Sequence, residues 1–322
     1  MISSVIFLFI LLLAVREGNP SVPWDYETKE DWPRQFPLFC AGKRQSPINI
    51  DRFSVQYSHW VGIYPIYFYN YEVIPEQQIA INNGEQLQVM HNSKVPPSIK
   101  GGGLHGTYLL SQYHFHWGSD SSKGSEHTIN TVRYPMELHL VHYKAQYGDM
   151  MNALRYADGV AVLESDTHRR CMYPMELHLV HYKAQYGDMM NALRYADGVA
   201  VLAVLFEVSS RDNPALAPVL QQVQNIRRGR GTPMTPVNAP YAVASLLPDD
   251  TKSFYRYEGS LTSPPCNEVV IWTVFKEPVH VSQNQLELMR TLLDLHDEPI
   301  EDNFRNPQPL NNRRVYRSFF KW

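Results

Sequence analysis

The chain has 322 residues, of which 44% are hydrophobic, and its formal net charge at pH 7 is −3. This length and apolar content are sufficient for one large domain with a substantial core, and no charge run or low-complexity tract divides the chain. The small net charge excludes a general polyanion binder, so we expect no nucleic-acid partner. The short basic cluster at residues 226–231 is typical of a solvated loop.

An apolar run, Val5–Val15, lies near the N-terminus. It is too short to span a bilayer and has the length of the apolar region of a signal peptide. We therefore predict a signal peptide at residues 1–18, a single domain at 19–322 and a secreted, extracellular protein. The usual basic residue before the run is missing, so a retained anchor is the alternative. The C-terminus has no apolar tail, and no stable membrane span is expected.

Three cysteines are present in the chain. In a secreted protein Cys40 and Cys266 can form one structural disulfide, which leaves Cys171 without a partner. A disulfide between Cys40 and Cys266 would join distant parts of the sequence.

The remaining chain is dense in Tyr, Val, Ile and Phe, and 23 Pro and 17 Gly mark frequent turns. This composition favours a large sheet with long loops. Residues 113–117, 136–143 and 200–208 have the pattern of strands. Residues 282–295 carry leucines and a methionine at helical spacing and predict a helix packed on the core.

Histidines supply the candidate chemistry. His114 and His116 are two residues apart on a predicted strand, so both imidazoles project from one face and can bind one ion. A third candidate, His139 or its duplicate His178, lies on another predicted strand and follows a glutamate by two positions. That carboxylate can hold the second ring nitrogen of the ligand. Three neutral histidines with one open position are typical of a catalytic zinc site, and a polar surface pair is the alternative.

The third candidate is duplicated because residues 134–163 recur unchanged at 173–202, with an offset of 39 residues from His139 to His178. A single identical repeat differs from a solenoid, in which three or more imperfect repeats stack. Copy one continues the chain from residue 133, and copy two runs on into residue 203. We therefore expect the ligand strand from copy one and the downstream strand from copy two. His139 is favoured because a local hairpin closes more cheaply, with His178 as the alternative.

Five motifs occur in a characteristic order: QSPINI at 45–50, QYHFHWGS at 112–119, GSEHTIN at 124–130, ELHLVHY from residue 137, and YEGSLTSPPC at 257–266. In this order they resemble the alpha-class carbonic anhydrases. The resemblance extends from Trp24 to Arg313 and is interrupted only by the duplication. It implies the alpha carbonic anhydrase fold, which is mainly β (α+β) with a large twisted, mostly antiparallel central sheet and short surface helices. It also implies a zinc-dependent, reversible hydration of carbon dioxide to bicarbonate and a proton.

The resemblance also assigns residues to the zinc site. It implies that His114, His116 and His139 bind Zn²⁺, and that their partners are Gln112, the backbone of Asn303 and Glu137. In such a site the metal lowers the pKa of its water to about 7, which makes hydroxide available to attack carbon dioxide.

Further roles follow from the same resemblance. Thr262 resembles the hydroxyl that orients the attacking hydroxide and donates a hydrogen bond to Glu126, and Ser263 occupies the neighbouring polar position. The carbon dioxide pocket is implied to have an apolar wall, and a polar side that orders water. The wall would consist of Val141 (or Val180), Val201 (or Val162), Leu261, Val270 and Trp272, and the polar side of Tyr26, Asn83 and Gln88. Cys40 and Cys266 match the cysteine pair of secreted members.

One departure concerns proton transfer. Fast members of the family have a histidine after the NNG tripeptide, whereas this chain has Glu85. The zinc-bound water that must lose the proton has a pKa of about 7. A carboxyl with a pKa of about 4.3 matches that donor less well than an imidazole does. We therefore expect turnover to be limited by proton transfer, with His91 as another candidate acceptor. The alternative function is an inactive relative that serves as an extracellular binding or matrix protein.

Overall fold

A computed structural model of the chain describes residues 24–58, 65–145, 199–229 and 234–320. The predicted signal peptide at 1–18 lies outside these residues, as do His178, Cys171 and the alternative wall residues Val162 and Val180. Among the described residues, no helix is both long enough and apolar enough to cross a membrane.

The described residues form many strands and a few short helices. The strands are β1 (Asn49–Ile50), β2 (Gln56–Tyr57), β3 (Ile66–Tyr69), β4 (Gln77–Asn82), β5 (Leu87–Asn92), β6 (Ser98–Gly101), β7 (Leu104–Trp117), β8 (Thr128–Ile129), β9 (Val132–Arg133), β10 (Met136–Lys144), β11 (Val199–Ser209), β12 (Thr235–Pro236), β13 (Phe254–Gly259), β14 (Val270–Phe275), β15 (Val279–Ser282) and β16 (Tyr316–Arg317). The α-helices are α1 (Trp32–Gln35), α2 (Ala217–Leu220) and α3 (Gln283–Met289), and 3₁₀ turns span Lys29–Asp31, Pro214–Leu216 and Val243–Leu246.

Thirteen of these strands form one mixed sheet, whose main path has the order β12-β4-β5-β7-β10-β11-β14-β13-β16-β2. Strand β15 joins β11, and β6 links β3 to β7. Most neighbours are antiparallel, whereas β11 is parallel to β14 and to β15, and β16 is parallel to β2. A separate three-stranded sheet contains β1, β8 and β9. The predicted mainly β fold with a large sheet and short helices is confirmed.

Two apolar clusters lie on the two faces of the large sheet. Strand β11 shows the division, because Leu202 and Val204 belong to the larger cluster, whereas Val201 and Ala203 belong to the smaller one. Side chains of a strand alternate between faces, so a continuous apolar strand is expected where both faces are covered. Helices α2 and α3 cover the larger cluster. The smaller cluster borders the candidate site.

The long strand β7 carries a bulge that controls which residues reach the site. Val141 pairs with Gln112 and His142 pairs with Leu110, so Ser111 is the extra residue. Because a bulge shifts the alternation by one residue, Leu110 before it and Tyr113 after it both enter the larger cluster. The histidines at 114 and 116 consequently face the opposite side.

The two copies of the duplicated segment contribute different strands. Strand β10 belongs to copy one, and the first residues of β11, Val199–Leu202, belong to copy two. These strands pair antiparallel, with His139 opposite Ala203. The division between copies that the sequence predicts is present, and residues 146–198 between them lie outside the described residues.

The helix predicted over 282–295 is shorter in the structure. Ser282 caps α3 by accepting a hydrogen bond from the Gln285 backbone N–H, and the helix ends at Met289 rather than at Leu295. Beyond it, the Leu293 N–H donates to the Arg227 carbonyl over 2.7 Å. This extended pairing replaces further helical hydrogen bonds, so the prediction of a helix that continues to Leu295 is wrong.

Candidate metal centre

Three imidazoles converge on one face of the sheet, as the sequence predicts. His114 and His116 lie on β7, and His139 lies directly opposite His114 on β10. Their candidate ligand nitrogens lie within 4.8 Å of one another. His116 and His139 are buried, whereas His114 is partly exposed. The site is therefore open on the side of His114.

Each of these histidines has a hydrogen-bond acceptor at its outer ring nitrogen. Nδ1 of His114 lies 3.0 Å from the Gln112 side-chain oxygen, and Nδ1 of His116 lies 2.7 Å from the Asn303 carbonyl. Nε2 of His139 lies 2.7 Å from the Glu137 carboxylate. Because all three partners accept, each outer nitrogen carries the proton. The inner nitrogens therefore present lone pairs to the centre of the cluster.

The inner nitrogens provide the test of whether a metal fits. Nε2 of His116 and Nδ1 of His139 are 3.1 Å apart, and no proton remains between two imidazoles whose outer nitrogens donate. A cation that both nitrogens bind removes the repulsion between the facing lone pairs. Three neutral imidazoles are a donor set that suits zinc, so the residues fit this metal.

The charges around the cluster favour neutral ligands. Burial lowers the pKa of His116, so its imidazole stays neutral near pH 7. Burial acts to raise the pKa of the Glu137 carboxyl, but the charge of His127 and hydrogen bonds from His127 and His139 outweigh it. The pKa of Glu137 therefore lies well below its usual range. Glu137 is thus a carboxylate, the strongest of the three acceptors.

Glu137 also continues a buried network beyond the three histidines. Its Oε1 accepts from Nδ1 of His127 over 2.7 Å, and Nε2 of His127 lies 2.7 Å from the Tyr257 hydroxyl. That hydroxyl lies 2.9 Å from the Ser46 hydroxyl. His127 and His139 thus share one carboxylate oxygen of Glu137, and the His127 backbone N–H donates to the other, which fixes the position of Glu137.

Glu126, to which the resemblance gives a catalytic role, is fully buried beside the cluster. Its Oε1 accepts from the Arg305 backbone N–H over 2.8 Å, and its Oε2 lies 3.7 Å from Nε2 of His116. Oε2 has no hydrogen-bond partner among the described residues. The implied hydrogen bond from Thr262 is therefore not formed in this structure, although Thr262 is buried in the neighbouring loop. The role of Thr262 stays a prediction.

The implied apolar wall is brought together next to the histidines. Val141, Val201 and Trp272 are register neighbours across β10, β11 and β14. The Trp272 ring lies 4.9 Å from the His139 ring, centroid to centroid. Val270 belongs to the same apolar cluster and Leu261 packs against it. Ser263 follows Thr262 in the adjoining loop and is partly exposed.

Of the polar residues predicted on the other side of the site, Gln88 lies on β5 and Asn83 in the turn before it, whereas Tyr26 lies in the N-terminal segment. Gln88 is buried opposite His114 in the register, and Tyr26 packs with its ring 6.4 Å from the His116 ring. Glu85 lies in the turn between β4 and β5 and is partly buried.

His91 is not on this face. On β5 it lies three residues after Gln88, which places it on the opposite side of the sheet, where it pairs with Gln78. Burial lowers the pKa of His91 to about 4. The alternative proton acceptor suggested by the sequence is therefore wrong in both position and basicity.

The loop that carries Thr262 is tied to the N-terminal segment. Cys40 and Cys266 form a disulfide, as the sequence predicts. The Gln45 side-chain amide donates to the Cys266 carbonyl over 3.1 Å, and the Ser46 N–H donates to the Ser260 hydroxyl over 2.8 Å. Covalent and hydrogen-bonded ties thus hold the same loop.

Several residues of the site were not assigned a role from the sequence. His127 and Tyr257 were used only as parts of motifs, and the Arg305 contact with Glu126 was not anticipated. The sequence around His127 is polar, with Glu126 and Thr128 on either side, so its burial is visible only in the structure. A buried ionisable residue there requires a partner, and Glu137 provides it.

The chain is similar to proteins of one family along nearly its whole length. The sequence profile of eukaryotic-type carbonic anhydrases matches residues 27–165 and again 164–319, so each copy of the duplicated segment lies in one match. Putative carbonic anhydrase 3 of Caenorhabditis elegans is 35% identical over 301 residues, covering 91% of this chain and 96% of that protein. Human carbonic anhydrase 12 is 30% identical over 329 residues (96% and 79%), and human carbonic anhydrase 6 is 30% identical over 325 residues (98% and 90%).

Proposed function

Since the chain belongs to the eukaryotic-type carbonic anhydrase family, we propose that it catalyses the reversible hydration of carbon dioxide to bicarbonate and a proton, with zinc bound by His114, His116 and His139. The observation that carries the proposal is the convergence of these imidazoles, each with its outer nitrogen held by an acceptor. When bound, zinc would supply the Lewis acid that makes hydroxide available near neutral pH.

The chain's own residues would then hold and orient the reactants. The apolar wall of Val141, Val201 and Trp272 would accommodate carbon dioxide, which is uncharged and a weak hydrogen-bond acceptor. Leu261 and Ser263 would complete the pocket beside Thr262. Thr262 would orient the attacking oxygen. The buried Glu126 carboxylate, whose Oε2 lacks a partner among the described residues, would accept a hydrogen bond from the threonine hydroxyl. The partners would be small molecules.

Glu85 would be the acceptor position for the proton that the reaction releases. Its carboxyl is a weaker base than an imidazole, so proton transfer to it should be slow at neutral pH.

We expect added imidazole buffer to raise kcat without changing kcat/KM. Replacing Glu85 with histidine should raise kcat in weak buffer by at least ~10-fold and remove most of the imidazole effect. Both are measured by stopped-flow hydration, and a kcat independent of buffer in the unsubstituted protein would contradict slow transfer.

We also propose secretion of a single domain, residues 19–322, after a signal peptide at 1–18. The disulfide between Cys40 and Cys266 supports an oxidising compartment. Mass spectrometry of the protein secreted by cultured cells would locate the new N-terminus. Retention of residues 1–18 on a membrane-bound product would favour the anchor instead.

An inactive binding or matrix protein is the second candidate. The duplication next to the site and the absence of a hydrogen bond between Glu126 and Thr262 favour it. Zinc content and hydration of carbon dioxide, measured together on the full chain, separate the two candidates. The enzyme should contain one zinc per chain and show hydration that a sulfonamide inhibits. Zinc without sulfonamide-sensitive hydration, or no zinc, would support the inactive candidate.

A further inference from the structure

The turn that carries Glu85 is held by asparagine side chains. Oδ1 of Asn82 accepts from the Gly84 N–H over 2.9 Å, and Oδ1 of Asn83 accepts from the N–H groups of Glu85 and Gln86 over 3.0 and 2.8 Å. Asn82 is itself fixed, because its Nδ2 donates to the carbonyls of Arg227 and Leu293. These contacts close the turn and satisfy its N–H groups, but they leave the Glu85 carbonyl to another partner.

That partner is Asn303, which is 1% exposed. Its Nδ2 donates to the Glu85 carbonyl over 2.9 Å and lies 3.4 Å from the Phe115 carbonyl. Its Oδ1 accepts from the Trp117 N–H over 2.7 Å. Its own backbone carbonyl accepts from Nδ1 of His116 over 2.7 Å. One residue therefore contacts both the proton-accepting turn and the strand end that carries a candidate metal ligand.

We infer that Asn303 is a positioning residue that holds the Glu85 turn in a fixed relation to His116. Glu85 is clamped on both sides of its peptide backbone, by Asn83 at the N–H and by Asn303 at the carbonyl. Its Cα is therefore placed by the same residue that orients the His116 ring. The inference rests on the proposed function for its consequence on turnover, while the positional contact itself does not.

The chemistry of the side chain explains why asparagine occupies this position. Only a carboxamide of this length offers both the donor that Glu85 needs and the acceptor that Trp117 needs. Aspartate keeps the acceptor and loses the donor, whereas serine is neutral but shorter. Either change leaves the backbone carbonyl that accepts from His116. The two functions of Asn303 can thus be separated by substitution.

The test compares Asn303→Asp and Asn303→Ser with the unsubstituted full chain and with Asn311→Asp. Asn311 is a matched control, because its Nδ2 also donates to a backbone carbonyl, that of Lys43 over 2.7 Å, but at an exposed site. Amide hydrogen exchange is first measured on metal-free protein for peptides covering residues 82–87. We expect exchange there to be about 10-fold faster in both Asn303 variants, as the loss of one buried hydrogen bond predicts, and unchanged in Asn311→Asp.

Kinetics and zinc affinity complete the test. In weak buffer we expect both Asn303 variants to lose kcat by ~3-fold to ~10-fold while kcat/KM stays near that of the unsubstituted chain, and imidazole to restore kcat. Zinc affinity, from competition with a chelator, should stay within about 3-fold of that of the unsubstituted chain, because the His116 contact is retained.

Unchanged exchange in the turn would overturn the inference. Equal losses in kcat and kcat/KM with weaker zinc binding would do so too, since Asn303 would then act through His116 alone. If the unsubstituted chain lacks zinc or activity, the proposed function fails, and the exchange result still decides whether Asn303 holds the turn.

Discussion

The hydrogen-bond acceptors behind the three histidines differ in strength, which affects how firmly each proposed zinc ligand is oriented. An amide oxygen holds His114, a backbone carbonyl holds His116, and the Glu137 carboxylate holds His139. A hydrogen bond to a charged acceptor is roughly twice as strong as one between neutral groups. His139 is therefore the most firmly oriented of the three. The duplicated sequence supplies the same Glu-x-His pattern again at Glu176 and His178, so the importance of His139 can be tested inside one chain.

Replacing His139 with alanine should weaken zinc binding by more than about 100-fold, because loss of a ligand exceeds the 10-fold to 100-fold cost of losing a ligand's outer partner. His178→Ala is the matched control, since its neighbours in sequence are identical. We expect it to bind one zinc with unchanged affinity. The measurement is zinc per chain together with competition against a chelator. The reverse result, with loss only in His178→Ala, would assign the ligand to copy two.

His91 gives a prediction about acid stability. The residue is partly exposed, but both of its ring nitrogens are buried and neither has a hydrogen-bond partner among the described residues. Burial lowers its pKa to about 4, against about 6.5 in the unfolded chain. Between these values the unfolded state binds more protons, so the free energy of unfolding falls as the pH drops through this range. Below pH 4 the full penalty applies, on the order of 3 kcal/mol.

Replacing His91 with leucine should remove this part of the acid sensitivity. Urea unfolding of metal-free protein at pH 7 and pH 4.5 measures the effect without a contribution from metal release. The loss of stability between the two pH values should be smaller in His91→Leu than in the unsubstituted chain by about 2 kcal/mol. The exposed His105 provides the control, and His105→Leu should keep the original pH dependence. An equal pH dependence in His91→Leu would show that His91 does not carry the sensitivity.

At the scale of elements, the site combines rigid strands with a tied loop. Strands β7 and β10 place the histidines, and each has strand neighbours on both sides. The Thr262 loop between β13 and β14 has no such ladder. It depends on the disulfide, on Gln45 and on the hydrogen bonds of Ser46 with Ser260. The two kinds of support should respond differently to reduction.

The double substitution Cys40→Ser and Cys266→Ser should lower the free energy of unfolding by about 2–5 kcal/mol, as loss of a native disulfide that closes a long loop typically does. The bridge spans 226 residues of sequence. Zinc content should not change, since the strands that carry the histidines are held independently. Thermal or urea unfolding with zinc analysis checks both statements, and Cys171→Ser is the control. Equal stability of the double variant and the control would mean that the bridge contributes nothing.

At the scale of the whole molecule, the sequence predicted what depends on local pattern. Alternation on a strand placed His114 and His116 on one face, and the apolar run of β11 marked a strand covered on both sides. Contacts between distant segments were not predictable in this way. The end of α3 depends on pairing of Leu293 with Arg227, and the side chain of Asn303 reaches the turn of Glu85. Such contacts form only after the sheet has brought the segments together.

The duplication is a property of the whole chain and permits one further prediction. Deleting residues 134–172 gives the same sequence as deleting 164–202, so the shortened chain has a single ligand strand. In the full chain the connection from β10 to β11 is residues 145–198. In the shortened chain only the equivalent of residues 184–198 remains. Closing a loop costs about 0.6 kcal/mol more for each doubling of its length, so the shortened chain should be more stable by about 1 kcal/mol.

The same deletion removes a second apolar strand sequence, 175–183, that can pair with the open edge of another molecule. We therefore expect the shortened chain to elute as a monomer at concentrations at which the full chain associates. Urea unfolding and size-exclusion chromatography measure the two effects, and zinc per chain should be one in both proteins. If the shortened chain is less stable than the full chain, residues 145–198 contribute favourable contacts that exceed the cost of closing the longer loop. The extra copy would then be a stabilising part of the fold rather than an insertion that the fold accommodates.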